Sequence, residues 1–454
     1  MERKKMKDKY LVVGLGKSGV AAAKLLLAEG KDVVLFNSSD MDADDFLKKN
    51  PQLKGLPFYT EELPKEQYED IKEAVLSPGV PLDIPFVEDL KNRGIHLSGE
   101  VELAYSFSHG TIAAITGTNG KTTTTALTGH ILKDYYDDVR VVGNIGIPFT
   151  DEAATTKDDT RIAIEVSSFQ LETIDTFHPH AAAILNITPD HLNRHHTMEN
   201  YIAAKESIVK NQTPSDVTVL NYEDDVLREF GKTLKTHVVY FSSKRKVENG
   251  LYYDESRKAI FIDRDGLEEK VIDVSDLQII GAHNYENVCA AVALSLSLDV
   301  PMDSIRKSLT SFKAVEHRIE FVCEKNGVKY YDDSKGTNPD AAIKAVLSMP
   351  APTLLIGGGF DKGSTYDEWV ETFPGRVKKL VLIGVTKDKI AACCDKHGFK
   401  DYEFADTLQE AVDKCAAEAS SGDCVLLSPA CASWDMFPNY EIRGDEFKEH
   451  VRKM

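Results

Sequence analysis

The chain has 454 residues, with 73 Asp and Glu against 54 Lys and Arg, for a formal net charge of −19. At roughly 100–200 residues per domain this length predicts about two to four domains, and a composition of 42% hydrophobic and 28% charged residues excludes an intrinsically disordered chain. The acidic surplus repels nucleic-acid phosphates and anionic membranes. Neither partner is expected, and a phosphate-bearing ligand must be held by locally placed donors.

The N-terminus, Met1-Glu2-Arg3-Lys4-Lys5, is basic, but Leu11-Val12-Val13 is broken by Gly14 and Gly16 before a signal-like apolar stretch develops. It reads as a strand start, not a signal peptide. No run approaches the ~18 apolar residues of a membrane helix. Short apolar runs then alternate with helical patterns, which predicts βαβ units and mostly parallel sheets. A first group holds Tyr10–Val13, Asp32–Phe36, Glu73–Leu76 and Ile95–Leu97. A second includes Thr111–Thr116, Arg161–Val166, Ala181–Ile187 and Val217–Asn221, and a third Val328–Tyr331, Thr353–Ile356, Lys379–Ile383 and Cys424–Leu427. Helical patterns at Asn284–Leu298 and Ser304–Phe312 separate the last two groups, so boundaries are expected near Phe107 and Ala314. The seven cysteines form an odd set without a C-x-x-C pair, as expected of a reduced compartment without a zinc module.

Gly14-Leu15-Gly16-Lys17-Ser18-Gly19 fits G-x-G-x-x-G between a strand and the helical run Val20–Glu29. Such glycines let backbone approach a pyrophosphate at a helix N-terminus. A dinucleotide site also wants an acid at the end of the second strand. Here Phe36-Asn37-Ser38-Ser39 stands in that place, which favours a neutral nucleotide-diphosphate pocket over a nicotinamide or flavin site. A plain βα turn is the alternative.

Thr116-Gly117-Thr118-Asn119-Gly120-Lys121-Thr122-Thr123 follows an apolar run and opens a helical one. Its free N–H groups can wrap phosphates, Lys121 can neutralise β/γ oxygens, and Thr122 offers a hydroxyl to Mg²⁺. With Ile115 where the general pattern has its first glycine, this is a shortened phosphate loop, and ATP is the expected ligand. Magnesium needs further oxygen ligands. Glu165 ends an apolar strand and can supply one; a strand-terminal carboxylate in solvent is the alternative. His191, in Thr188-Pro189-Asp190-His191, follows another strand to the same sheet edge. His191 and His195 have zinc-helix spacing, but Leu192 stands where the catalytic Glu of such a helix would be, and Pro189 and Asn193 suggest a turn. His195 and His196 read as surface residues. By position alone Lys205 reads as a solvated helix lysine.

Together with Gly143-Asn144-Ile145-Gly146, Val166–Glu172, Tyr201–Lys205, Gly281–Asn284, His317-Arg318, Asp333-Ser334-Lys335-Gly336-Thr337 and Ser428–Ser433, these motifs occur in an order that resembles the Mur ligases over nearly the whole chain. Three of the runs, Gly143–Gly146, Val166–Glu172 and Ser428–Ser433, point to the D-glutamate-adding member of the family. The resemblance implies an α/β protein of three domains: a Rossmann-like UDP-substrate domain at 1–107, a central P-loop ATPase domain with a mostly parallel sheet at 108–314, and a C-terminal Rossmann-like amino-acid domain at 315–454. It implies a cytoplasmic, monomeric ligase using ATP, two Mg²⁺ ions, UDP-N-acetylmuramoyl-L-alanine and D-glutamate.

By the same resemblance Lys205 carries a CO₂-derived carbamate that binds metal with Thr122, Glu165 and His191, which reverses the solvated-lysine reading. Lys121, Asn144, Glu165, His191 and Lys205 serve phosphoryl transfer. Gly117, Thr118, Asn119, Gly120, Lys121, Thr122, Thr123, Asn287, Arg318 and Asp333 hold ATP. Gly14, Gly16, Lys17, Ser18, Asn37, Ser38, Ser77, Pro78 and Gly79 hold the UDP substrate, although Asn37-Ser38-Ser39 departs from the family's Asp-Thr-Arg-like run. Lys335, Thr337, Lys362, Ser433, Trp434 and Tyr440 surround D-glutamate. Other readings are a sister ligase for a different amino acid, a folylpolyglutamate-type synthetase, an oxidoreductase built on Gly14–Gly19, and an ATP-hydrolysing switch.

Overall fold

The computed structural model describes residues 8–454, so the basic segment Met1–Lys5 lies outside the described residues. The chain forms two compact units. The first runs to Tyr252 and takes in Ile262–Glu269 and Val288–Ser308; the second holds Tyr253–Phe261, Lys270–Asn287 and Leu309–Met454.

Within the first unit, five parallel strands form a sheet in the spatial order Phe58–Thr60, Asp32–Asn37, Lys9–Val13, Ile71–Leu76, His96–Gly99. Lys9–Val13 is thus flanked by the next strand in the chain on one side and a later one on the other. The strand order reverses there, and the crevice beyond such a strand end is where open α/β sheets bind ligands. The glycine loop leaves from that strand end. The same logic repeats in the second sheet. Six of its parallel strands run His237–Ser242, Val217–Asn221, Ala181–Ile184, Thr111–Thr116, Arg161–Glu165, Val139–Gly143. Thr111–Thr116 sits between Ala181–Ile184 and Arg161–Glu165, and the phosphate loop leaves from it.

These strands read as near-continuous apolar runs because both faces are covered; Ile112–Ile115, Ile162–Ile164 and Ala181–Ile184 are all buried. One apolar core, from Tyr10 and Leu26 through Ile164 to Leu220, runs through both sheets. Two carboxylates reinforce the junction. Glu100 accepts from the Thr150 amide and hydroxyl, and Glu102 accepts from the amides of Asp175, Thr176 and Phe177.

The second unit carries a six-stranded sheet in the order Glu320–Lys325, Val328–Asp332, Cys424–Leu427, Thr353–Gly358, Val377–Ile383, Tyr402–Phe404. Its first pair is antiparallel and the rest are parallel.

The expected strand Ala181–Ile187 stops at Ile184. Leu185 and Asn186 leave the sheet to bond the phosphate loop: the Leu185 amide donates to Thr116 O and Asn186 O accepts from the Thr118 amide. All seven cysteines are free thiols. No helix among the described residues is long and apolar enough to cross a membrane.

Candidate active site

The glycine loop is built by close approach. A Cβ on Gly19 would stand 1.9 Å from Gly14 O, so only glycine lets the helix Lys17–Ala28 start against the strand end. That helix begins three residues earlier than its apolar pattern. Ser77 Oγ donates to Gly14 O at 2.6 Å, tying the loop to the end of the neighbouring strand. Asn37 Oδ1 accepts from the Leu15 amide at 3.4 Å, while its Nδ2 donates to Ser39. Asn37 therefore holds the loop at the point where a dinucleotide site would place an acid.

Gly14, Gly16, Lys17, Ser18, Asn37, Ser38, Ser77, Pro78 and Gly79 all line one cavity of about 550 Å³. Gly143, Asn144 and Gly146 of the second sheet line it too, and Lys17 Nζ donates to Gly146 O. The cavity thus runs from the glycine loop to the strand end that carries Asn144. There the Asn144 amide donates to Glu165 O at 2.9 Å, and its Nδ2 donates to Glu165 Oε1 at 2.8 Å.

At the next strand end, the helix Lys121–Tyr135 starts from Gly120 with no side-chain cap, and the positive end of a helix favours an anion. Lys121 Nζ donates to Gly117 O and Thr118 O, both at 2.9 Å. Lys205 Nζ donates to the same Gly117 O at 2.8 Å. Lys205 is only 2% exposed, which overturns the solvated reading. Burial first, and the Lys121 charge second, hold its pKa well below the usual lysine value. Tyr201, one helical turn earlier, bonds Thr118 Oγ1 at 3.0 Å, and burial pushes its hydroxyl up to about 12.

Glu165 is 1% exposed, so the solvated alternative fails for it as well. Its Oε2 is buried with no hydrogen-bond partner. A buried, unpaired carboxylate oxygen is costly unless a cation completes it. This orphan, close enough to the buried Lys205 to act on its charge, fits a hard divalent ion.

His191 adopts a left-handed conformation (φ 53°) at the start of the short helix Leu192–His195, where a turn was expected. Its ring lies 4.8 Å from the Phe169 ring. His195 corrects the surface reading. It is 4% exposed, because the helical turn drives its ring between Phe169 and Tyr201. Nε2 meets Ser168 Oγ at 2.9 Å and Nδ1 faces Glu172 at 3.2 Å, so both nitrogens are engaged and the i,i+4 histidines do not offer a pair of ligands. His196 is exposed and faces Asp83.

Asn186 was missed by sequence reasoning. Its Oδ1 accepts from the Asn119 amide at 2.8 Å and its Nδ2 donates to Asn119 O at 3.0 Å, clasping the crown of the phosphate loop. Nothing in Leu185-Asn186-Ile187 marks it apart from an uncharged polar residue closing an apolar run.

The remaining predicted residues belong to the second unit. Asn287 is buried and donates to Asn284 Oδ1 at 3.1 Å. Asp333 accepts from Ser428 Oγ at 2.7 Å and the Ile319 amide at 3.3 Å. Burial raises its pKa to about 7, against the opposing pull of Arg318. Lys335 lies 5.4 Å from the Tyr440 ring centre, and Lys362 5.4 Å from that of Trp434. Ser433 is buried, Trp434 is 63% exposed, and the Thr337 amide bonds Lys335 O at 2.9 Å.

Family models match three consecutive stretches: a Mur ligase MurD-like N-terminal domain over 8–99, the Mur ligase middle domain over 115–295, and the Mur ligase glutamate ligase domain over 317–431. The chain belongs to the Mur ligase family. It is 53% identical over 449 residues to the UDP-N-acetylmuramoylalanine--D-glutamate ligase of Lachnoclostridium phytofermentans, covering 98% of both chains. It is 50% identical to that of Lachnospira eligens and 44% to that of Clostridioides difficile, again covering 98% of each chain. Among solved structures, this Mur ligase is similar to UDP-N-acetylmuramate-alanine ligase MurC of Thermotoga maritima, with a TM-score of 0.61, 21% identity, and 98% and 99% of the two chains covered. MurF ligase of the same organism, solved in complex with ADP, gives a TM-score of 0.60 at 18% identity and 99% and 96% coverage. At those identities the likeness is one of fold.

Proposed function

We propose that this Mur ligase is an ATP-dependent acid–D-amino-acid ligase that joins D-glutamate to UDP-N-acetylmuramoyl-L-alanine, in the peptidoglycan precursor synthesis that underlies cell wall, shape and division. The observation that carries the reading is the continuous cavity from the glycine loop to Asn144, whose side chain bonds the buried Glu165, in a chain whose full-length relatives bear that ligase name. A substrate anchored by its diphosphate at Gly14–Ser18 can lay its other end beside the phosphoryl-transfer residues. The domains assigned are 1–107 for the UDP substrate, 108–314 for ATP and 315–454 for the amino acid. The cytoplasm, where nucleotide substrates reside, is the corresponding compartment.

A carboxylate is a poor electrophile, so amide formation requires activation, which ATP supplies by converting it to an acyl phosphate. The obstacle is the approach of one anion to another. Lys121 and the positive end of the helix Lys121–Tyr135 counter that charge. Mg²⁺ held by Thr122, Glu165, His191 and Lys205 would neutralise phosphate oxygens further. The D-glutamate amine then attacks the acyl carbon, a tetrahedral intermediate forms, and phosphate leaves.

For Lys205 we propose the carbamate. A neutral amine is the form that adds CO₂, releasing a proton, and burial beside Lys121, which lowers the Lys205 pKa, favours that form. The carbamate also sets an anion, where a charged lysine would be a second cation, beside Lys121. Lys335 and Lys362 are assigned to the two carboxylates of D-glutamate, which a protein of net charge −19 must attract locally.

The test is ADP release with UDP-N-acetylmuramoyl-L-alanine, offering D-glutamate, L-lysine, meso-diaminopimelate or D-alanyl-D-alanine with the matching acceptor. D-glutamate alone should support turnover. Equal turnover without an amino acid, or preference for another one, would overturn the assignment.

A further inference from the structure

Arg443 lies on the C-terminal helix Tyr440–Lys453, has 1% exposure, and belongs to none of the sets assigned above. Its hydrogen bonds all go to carbonyl and hydroxyl oxygens, none to a carboxylate. Nε donates to Ser334 Oγ at 2.9 Å, and one terminal nitrogen to Ser334 O at 2.8 Å. Both terminal nitrogens reach Cys431 O at 3.2 Å, and one also reaches Ala432 O at 3.3 Å.

Burying a guanidinium with no direct carboxylate is expensive. A helix that needed only to be fastened would use an apolar side chain. What the planar fork adds is geometry: it fixes two loops at once, in one plane. One loop carries Ser334 into Lys335; the other carries Cys431 and Ala432 into Ser433 and Trp434.

A third loop joins them. The Phe360 amide donates to Ala432 O at 2.8 Å, on the same carbonyl that Arg443 reaches. Just before it, a Cβ at Gly359 would stand 2.3 Å from Ala432 O and 3.3 Å from the guanidinium, at φ 146°, so this approach tolerates only glycine. Lys362 follows Phe360 by two residues. The Ser334 hydroxyl also donates to Tyr440 O at 2.8 Å, setting the ring over which Lys335 lies.

We propose that Arg443 is a positioning residue of the amino-acid subsite, fixing the separation of Lys335 and Lys362 so that both carboxylates of a dicarboxylic amino acid are met together. The inference rests on the D-glutamate reading given above.

The test uses the full-length enzyme with Arg443→Lys, which keeps the charge and loses the fork, and Ser334→Ala, which removes one acceptor. Arg443→Lys should raise KM for D-glutamate on the order of tenfold or more. KM for ATP should stay near wild type even where the thermal midpoint falls with the lost bonds, and Ser334→Ala should fall between. Hydrogen exchange at the Phe360 and Lys335 amides should quicken in Arg443→Lys without any substrate present. An unchanged D-glutamate KM with unchanged exchange would overturn the proposal. So would parallel losses in D-glutamate KM, ATP KM and thermal midpoint, the mark of a merely structural role. If Arg443→Lys does not fold, Ser334→Ala decides alone, by the same KM split. A wild type indifferent to D-glutamate would sink the functional reading instead, and the exchange data would still decide whether Arg443 fixes the loops.

Discussion

Asn186→Ala tests how far ATP binding depends on a phosphate loop held in shape before the ligand arrives. The substitution deletes the bond from the Asn119 amide to Oδ1 and the bond from Nδ2 to Asn119 O, at 2.8 and 3.0 Å, while the backbone bond from Thr118 to residue 186 remains. At about 0.5–1.5 kcal/mol net per hydrogen bond, the loop loses about 1–3 kcal/mol of order. If ligand binding must restore that order, nucleotide affinity falls by roughly 5- to 150-fold, at 1.4 kcal/mol per factor of ten. Calorimetric titration with ADP and Mg²⁺ reads this directly, and steady-state kinetics should show KM for ATP rising with KM for D-glutamate unmoved. An ADP affinity within twofold of wild type would refute the reasoning, because the loop would then be held without Asn186.

Lys121→Ala should abolish ATP-dependent turnover while the fold stays intact, since Lys121 Nζ bonds carbonyls of its own loop; normal activity would remove it from the mechanism. Lys205→Ala should be inactive and partly recover in buffer containing a short carboxylic acid that stands in for the carbamate, and wild-type turnover without added acid would count against that role. Asp333 has a folded pKa raised to about 7 from 3.8, so the folded state binds the extra proton between those values. By linkage its contribution to stability falls as pH rises through that window and levels off above it. Chemical denaturation of Asp333→Asn from pH 4 to 8 should therefore lose part of that downward slope, and a slope identical to wild type would show that Asp333 does not titrate there.

Sequence reading found the elements whose signals are local. Gly14–Gly19 and Gly117–Thr122 are legible because a tight turn from a strand into a helix needs glycine at fixed spacing, whatever surrounds it. The apolar strands before them are legible because a parallel sheet covered on both faces needs continuous hydrophobic runs. His195 was misread because burial belongs to the whole fold: the same side chain would be a surface histidine had the helical turn not wedged it between Phe169 and Tyr201.

Sequence by itself determined the alternating α/β pattern, the two glycine-rich loops between strand and helix and, through the order of the motifs, the family. Tertiary structure decided what those residues experience. Lys205 is far from Gly117 along the chain, yet it meets the carbonyl that Lys121 also meets, and only that convergence removes its solvent and lowers its pKa. Asn186 and Arg443 have no motif because their task is to bond backbone groups of distant loops. A carbonyl or an amide is the same in every residue, so its partner leaves no mark in the sequence until the fold brings the two together.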